Sequence, residues 1–145
     1  MTKQTFKGIR EGDKRVFTKV ITERDIETFA RATGDFNPIH LDSEFAERTV
    51  FRGKIAHGVL TAGLISATLS RFPGVIVYLS QTLHFLRPVR PGDKIEALAE
   101  VLDKIDERNE LKLRTICRNQ RDEIVLDGEA RIKVLEAESI SRDAR

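Results

Sequence analysis

Ile55-Ala-His-Gly-Val-Leu-Thr-Ala-Gly-Leu-Ile-Ser-Ala-Thr-Leu-Ser-Arg-Phe72 is the one long apolar helical pattern in the chain, and beyond it the hydrophobic period changes from helical to alternating. Its small residues, Ala56, Gly58, Ala62, Gly63, Ser66 and Ala67, are those of a helix around which something else wraps closely. Phe72-Pro-Gly74 ends the helix. Residues 75–87, 94–106, 111–119 and 124–135 then alternate and are rich in β-branched and aromatic residues, as strands are. The turns fall at 90–93, 107–110 and 120–122. Asp127-Gly128, inside the last strand, predicts a bulge. Three long strands joined by short turns form an antiparallel meander. The expected fold class is therefore α+β, an antiparallel sheet wrapped around one long central helix.

Upstream, residues 16–21 read as a short strand after the turn at 11–13. Thr22-Glu-Arg-Asp25 is a capping-box start for a helix to about Thr33, with Ile26, Phe29 and Ala30 on its apolar face. Gly34 suits the position after its end. Residues 43–48 read as a short helix capped by Asp42 or Ser43, and 49–56 as a loop. No repeat is visible. One domain over 1–145 is expected, with a core of about 10–136 and a polar tail from Glu136 onward.

The segment Ala32-Thr-Gly-Asp-Phe-Asn-Pro-Ile-His-Leu-Asp42 carries the chemistry. Gly34 and Pro38 predict an irregular loop rather than a helix. Asp35 and His40 lie five positions apart on it, so a carboxylate and an imidazole can address one water molecule, the pairing that general acid–base catalysis needs. By itself Asp35 reads more readily as an Asx-turn residue than as a catalytic one. Gly58, at the start of the long helix, offers an N–H where an anion or a developing oxyanion is favoured.

The run 34–42 together with Ala56-His57-Gly58 resembles the signature of the MaoC-like, R-specific enoyl-CoA hydratases, and Phe85-Leu-Arg-Pro-Val-Arg-Pro-Gly-Asp93 resembles the family as well. The likeness spans about 10–136 and implies a single hot-dog fold. It implies (R)-specific hydration of trans-2-enoyl-CoA to (3R)-3-hydroxyacyl-CoA, with Asp35 and His40 catalytic and Gly58 polarising the thioester carbonyl. By spacing from His57-Gly58, Ser66 aligns with a serine that contributes to the site in related hydratases, though it reads equally as a helix-packing residue. Asn37 and His57 are further site candidates; Asn37 reads more readily as a loop-orienting residue, and His57 as a packing or capping one. Acyl-chain selection is expected near Leu64, Thr68 and Phe72 or in the loop 45–54. Family members dimerise edge to edge, so a homodimer is expected. Coenzyme A is the expected carrier, with acyl carrier protein the alternative.

Competing classes fit less well. A hot-dog thioesterase usually carries a carboxylate on the central helix, and residues 55–72 contain no Asp or Glu. A binding module without chemistry has no need of both Asp35 and His40. A subunit of a heteromeric (3R)-hydroxyacyl dehydratase stays open. No metal is expected, because His40, His57 and His84 have no recognised ligand spacing, and no cofactor either.

The bulk properties agree. In 145 residues with a net charge of +2, cations and anions are interspersed, without the basic patch that nucleic acid requires. The pI of about 8.8 favours coenzyme A phosphates weakly. Cys117 is the single cysteine, which points to a reducing compartment. It falls in a strand pattern and reads as a buried filler. The N-terminal residues are polar, not a signal peptide, and 55–70 is too short and too polar for a membrane span. A cytoplasmic protein is the expectation.

Overall fold

A computed structural model describes residues 5–136; the tail expected from Glu136 onward lies, after that residue, outside the described part. Six strands form one antiparallel sheet: β1 (Lys14–Val20), β2 (Val75–Gln81), β3 (His84–Phe85), β4 (Lys94–Ile105), β5 (Glu110–Arg118) and β6 (Ile124–Leu135). Their order is β1-β4-β5-β6-β2, with β3 also paired to β6. The helices are α1 (Glu23–Thr33), α2 (Pro38–Leu41), α3 (Ser43–Glu47) and α4 (Gly58–Leu69). Among the described residues no helix is long and apolar enough to cross a membrane.

Alternation builds the core. Ile95, Ala97, Ala99 and Val101 of β4 point inward, as do Leu111, Leu113, Thr115 and Cys117 of β5 and Ala130, Ile132 and Val134 of β6. α4 lies in the concave face against β4, β1 and β5, contributing Leu64, Ile65 and Leu69. The two alanines of β4 are small enough for the helix to approach closely. Thr68 Oγ1 donates back to the Leu64 carbonyl at 2.7 Å, so its hydroxyl is satisfied inside the core.

Local signals acted where expected. Thr22 and Asp25 make a reciprocal capping box on α1, and Gly34 ends it with φ 85°. Pro91 and Gly92 (φ 93°) turn the chain into β4, held by the Arg90 N–H donating to Asp93 at 2.8 Å.

Four expectations need correction. Residues 38–41 are a helical turn after all: Pro38 sits at its first position, where its missing N–H has no partner to lose. The long helix spans only 58–69. Residues 75–87 form two strands, not one, broken at Thr82-Leu83. The bulge predicted at Asp127-Gly128 is absent from the β5–β6 pairing, which is irregular instead where Cys117 pairs Leu126 and Arg118 pairs Ile124. Gly128 is needed for a different reason: a Cβ there would lie 1.8 Å from the Thr82 carbonyl oxygen. The N-terminal segment also contributes to the core, since Phe6 and Ile9 are buried.

Candidate active site

The segment after α1 is held in place residue by residue. The Asn37 N–H donates to Asp35 Oδ1 at 3.2 Å. Asn37 Oδ1 in turn caps α2 by accepting from the Ile39 N–H, so this side chain orients the loop. Across from it, the Ile55 N–H donates to the Ile39 carbonyl at 3.3 Å and the Ala56 N–H to the Val89 carbonyl at 2.7 Å. This extended piece leads directly into α4 and places His57 beside His40.

His40 is half-buried. Its Nδ1 lies 2.7 Å from the Ile55 carbonyl oxygen. A carbonyl only accepts, so Nδ1 carries the proton and Nε2 keeps the lone pair. Burial first, and then the neighbouring His57, hold the His40 pKa below the ordinary histidine value; the Ile55 bond and Asp35 pull the other way. The ring is thus a neutral base at neutral pH. Asp35 is exposed, its carboxylate open to water.

Asp35, His40 and His57 each offer one donor atom, all within 4.8 Å of one another. A carboxylate with two imidazoles is a set that divalent metals accept. Its third member is Asp35 and not His84, which is exposed and pairs with Asp127. The trio is nevertheless arranged for hydrogen bonding: one His57 nitrogen is given to the Asp35 carbonyl, and the other is enclosed.

An apolar cleft of about 400 Å³ opens beside His40 and the start of α4. Gly58 and Thr61, three apart, share one helix face and line it; Phe51 closes one side and Phe85, Leu86 and Val125 the other. Gly58 N–H belongs to the first turn, where no intrahelical acceptor exists. Phe85 covers Gly58 so tightly that a Cβ would lie 2.6 Å from its ring.

Not every sequence candidate joins this cleft. Ser66 lies in a separate groove with Ala62, Gly63, Tyr78 and Leu79. It is eight residues from Gly58, about 12 Å along the helix axis. His57 is buried behind His40 and does not line the cleft. Leu64, Thr68 and Phe72 are buried core residues and do not line this cleft. The loop 45–54 contributes Phe51. Sequence reasoning does not reveal the wall of Phe85, Leu86 and Val125 as a binding surface; its one signal is the family likeness of the stretch beginning at Phe85.

A family model described as MaoC like domain matches residues 7–119. The 3-hydroxybutyryl-CoA dehydratase of Methylorubrum extorquens is 50% identical over 131 residues, covering 89% of this chain and 83% of that protein. The (R)-specific enoyl-CoA hydratase of Rhodospirillum rubrum is 40% identical, covering 89% and 90%. Among solved structures, the unliganded R-hydratase PhaJ1 of Pseudomonas aeruginosa superposes with a TM-score of 0.85 at 42% identity, covering 91% of this chain and 86% of that one.

Proposed function

The chain belongs to the MaoC-like domain family, and from that premise we propose that it is a hydro-lyase adding water to trans-2-enoyl-CoA to give (3R)-3-hydroxyacyl-CoA, and running the same step in reverse. The observation that carries this reading is that the Asp35 carboxylate lies within 4.8 Å of the His40 ring, and that His40, unlike Asp35 itself, lines an apolar cleft together with Gly58.

The enoyl chain lies in the apolar cleft, and its thioester carbonyl oxygen accepts from Gly58 N–H at the positive end of α4. One water sits between Asp35 and His40. Its oxygen bonds to C3 as one of the pair takes its proton; a proton is delivered to C2, and the C2–C3 double bond becomes single. The elements of water are the only atoms added, so the step calls on no redox group. Polarisation by Gly58 matters most as negative charge moves onto the carbonyl oxygen, and so it acts on the transition state more than on the bound substrate.

Two copies join through the edge of β2, where Val75, Val77 and Leu79 are exposed and, among the described residues, β2 pairs only on its β6 side; an apolar edge of this kind favours a homodimer. Coenzyme A is the carrier in this reading.

The test is incubation of the purified protein with crotonyl-CoA and, in parallel, with crotonyl-acyl carrier protein, followed by chiral analysis of the 3-hydroxy product. Faster turnover of the coenzyme A ester with R product supports the reading. An S product, or hydrolysis to free crotonate, contradicts it.

A further inference from the structure

His57 meets His40 and the Asp35 backbone but does not line the cleft. Its ring is 2% exposed. It stacks on His40 with centroids 3.8 Å apart and planes 31° apart, and meets Phe29 of α1 at 4.7 Å on another side. Its Nε2 lies 3.1 Å from the Asp35 carbonyl oxygen, which fixes that nitrogen as the donor. Nδ1 is then the lone-pair nitrogen, and it is buried with no partner among the described residues. Buried polar atoms without a partner are uncommon in folded proteins, and a functional role is one of the reasons they are kept. Although it precedes α4, the side chain makes no capping bond to the helix.

We propose that His57 is a positioning residue, which fixes the Asp35 backbone with one N–H and the His40 ring plane by stacking, so that both catalytic groups are held against one water. Asp35 follows a left-handed glycine, and among the described residues its side chain accepts from its own loop alone, at the Asn37 N–H; the bond from His57 fastens that loop to the start of α4. His40 is anchored at Nδ1 by Ile55, a single bond about which the ring can still rotate, and the His57 face removes that freedom. One buried side chain therefore couples α1, the Asp35 loop, α2 and the helix that carries Gly58. The proposal rests on the Asp35–His40 reading of the site and assigns His57 no contact with substrate.

The two functions of the ring are separable. His57→Phe keeps a flat ring against His40 and Phe29 but has no N–H for Asp35. His57→Gln loses the ring but places an amide N–H where Nε2–H was. With crotonyl-CoA, His57→Phe is expected to lose about 10- to 100-fold in kcat, the scale of a misplacement near 1 Å, with KM within about twofold of wild type. His57→Gln should recover the part of the loss that belongs to the Asp35 bond and keep the part that belongs to the stacked ring. A KM rise with kcat preserved would mean that His57 touches substrate, and unchanged kcat in His57→Phe would mean that it only fills space; either overturns the proposal. Long-range proton–nitrogen spectra of the wild type test the geometry without turnover, and hence separately from the hydratase reading. His57 must be protonated at Nε2 and His40 at Nδ1; a His57 proton on Nδ1 removes the bond to Asp35 and the proposal with it.

Discussion

Replacing Gly128 by alanine should strike at the joint that carries one wall of the cleft. The new Cβ would lie 1.8 Å from the Thr82 carbonyl oxygen and 2.7 Å from its carbon. Ordinary contact is about 3.4 Å or more, so the two backbones must part by roughly 1.5 Å, a movement that close-packed interiors resist. Both sides are tied. The Thr82 N–H donates to the Glu129 carbonyl at 2.9 Å, the Glu129 N–H to Thr82 Oγ1 at 2.9 Å, and Gln81 Nε2 to the Thr82 carbonyl at 2.8 Å. Losing two of these at about 1 kcal/mol each, with local strain added and about 0.5–1 kcal/mol regained from the stiffer unfolded chain, gives a net destabilisation of about 2–4 kcal/mol. Because Thr82 leads into β3, Phe85 moves as well, and KM for the enoyl thioester should rise. Urea unfolding at fixed protein concentration reads the stability as a lower midpoint with unchanged slope. Gly63→Ala is the control: nothing lies within 4 Å of its new Cβ inside α4, so it should stabilise by up to about 1 kcal/mol. A Gly128→Ala protein within about 0.5 kcal/mol of wild type would refute the close approach of Thr82 to β6.

Other outcomes follow from the same contacts. Burial lowers the His40 pKa, so kcat/KM should fall on the acid side with a midpoint below 6.5, the ordinary histidine value; an NMR titration midpoint above it would contradict the burial. The sign for stability is the same: the folded pKa lies below the unfolded one, so this contribution is present above the unfolded value and lost as pH falls through the folded one. Arg90 donates to the Gly53 carbonyl at 3.2 Å and to the Phe51 carbonyl, pinning the loop that presents Phe51 to the cleft. Arg90→Lys cannot make that fork and should destabilise by about 1.5–3 kcal/mol and raise KM, with hydrogen exchange around 50–53 reporting the loosened loop. Cys117 is fully buried and burial pushes its thiol up to about 12, so a thiol reagent should label it only on unfolding; stoichiometric labelling of the native protein would contradict that environment.

Much of the fold was legible because its signals are local. The Thr22/Asp25 capping box, Gly34, and the Pro91-Gly92 turn act within a few residues, and alternation alone located β4, β5 and β6. The misreadings are long-range. Nothing near Thr82 announces the break between β2 and β3 there, where its carbonyl closes on Gly128, forty-six positions later. Phe6 and Ile9 sit in a charged segment and become core only because the chain returns them to the sheet. At the site, Asp35, His40 and Gly58 were readable as residue types suited to acid–base chemistry and carbonyl binding. Ser66 was placed by its distance from Gly58 in sequence, and two helical turns carry it into another groove. The cleft wall was hidden because Phe51, Phe85 and Val125 meet only in three dimensions. The role of His57 needed the stacking geometry, which sequence spacing does not contain.

The central claim is that Asp35 and His40 together activate one water. Its most direct measurement is the loss of the conjugated enoyl absorbance of crotonyl-CoA with wild type, Asp35→Asn and His40→Gln side by side, each checked for an unchanged thermal midpoint. Asp35→Asn keeps an oxygen to accept the Asn37 N–H, so the loop stays in place while the charge is lost. The account predicts rapid loss with wild type and a fall of about 10²–10⁴-fold in kcat for each variant, the range of a general acid or base, with KM little changed. A folded Asp35→Asn or His40→Gln protein that hydrates crotonyl-CoA at the wild-type rate would contradict it.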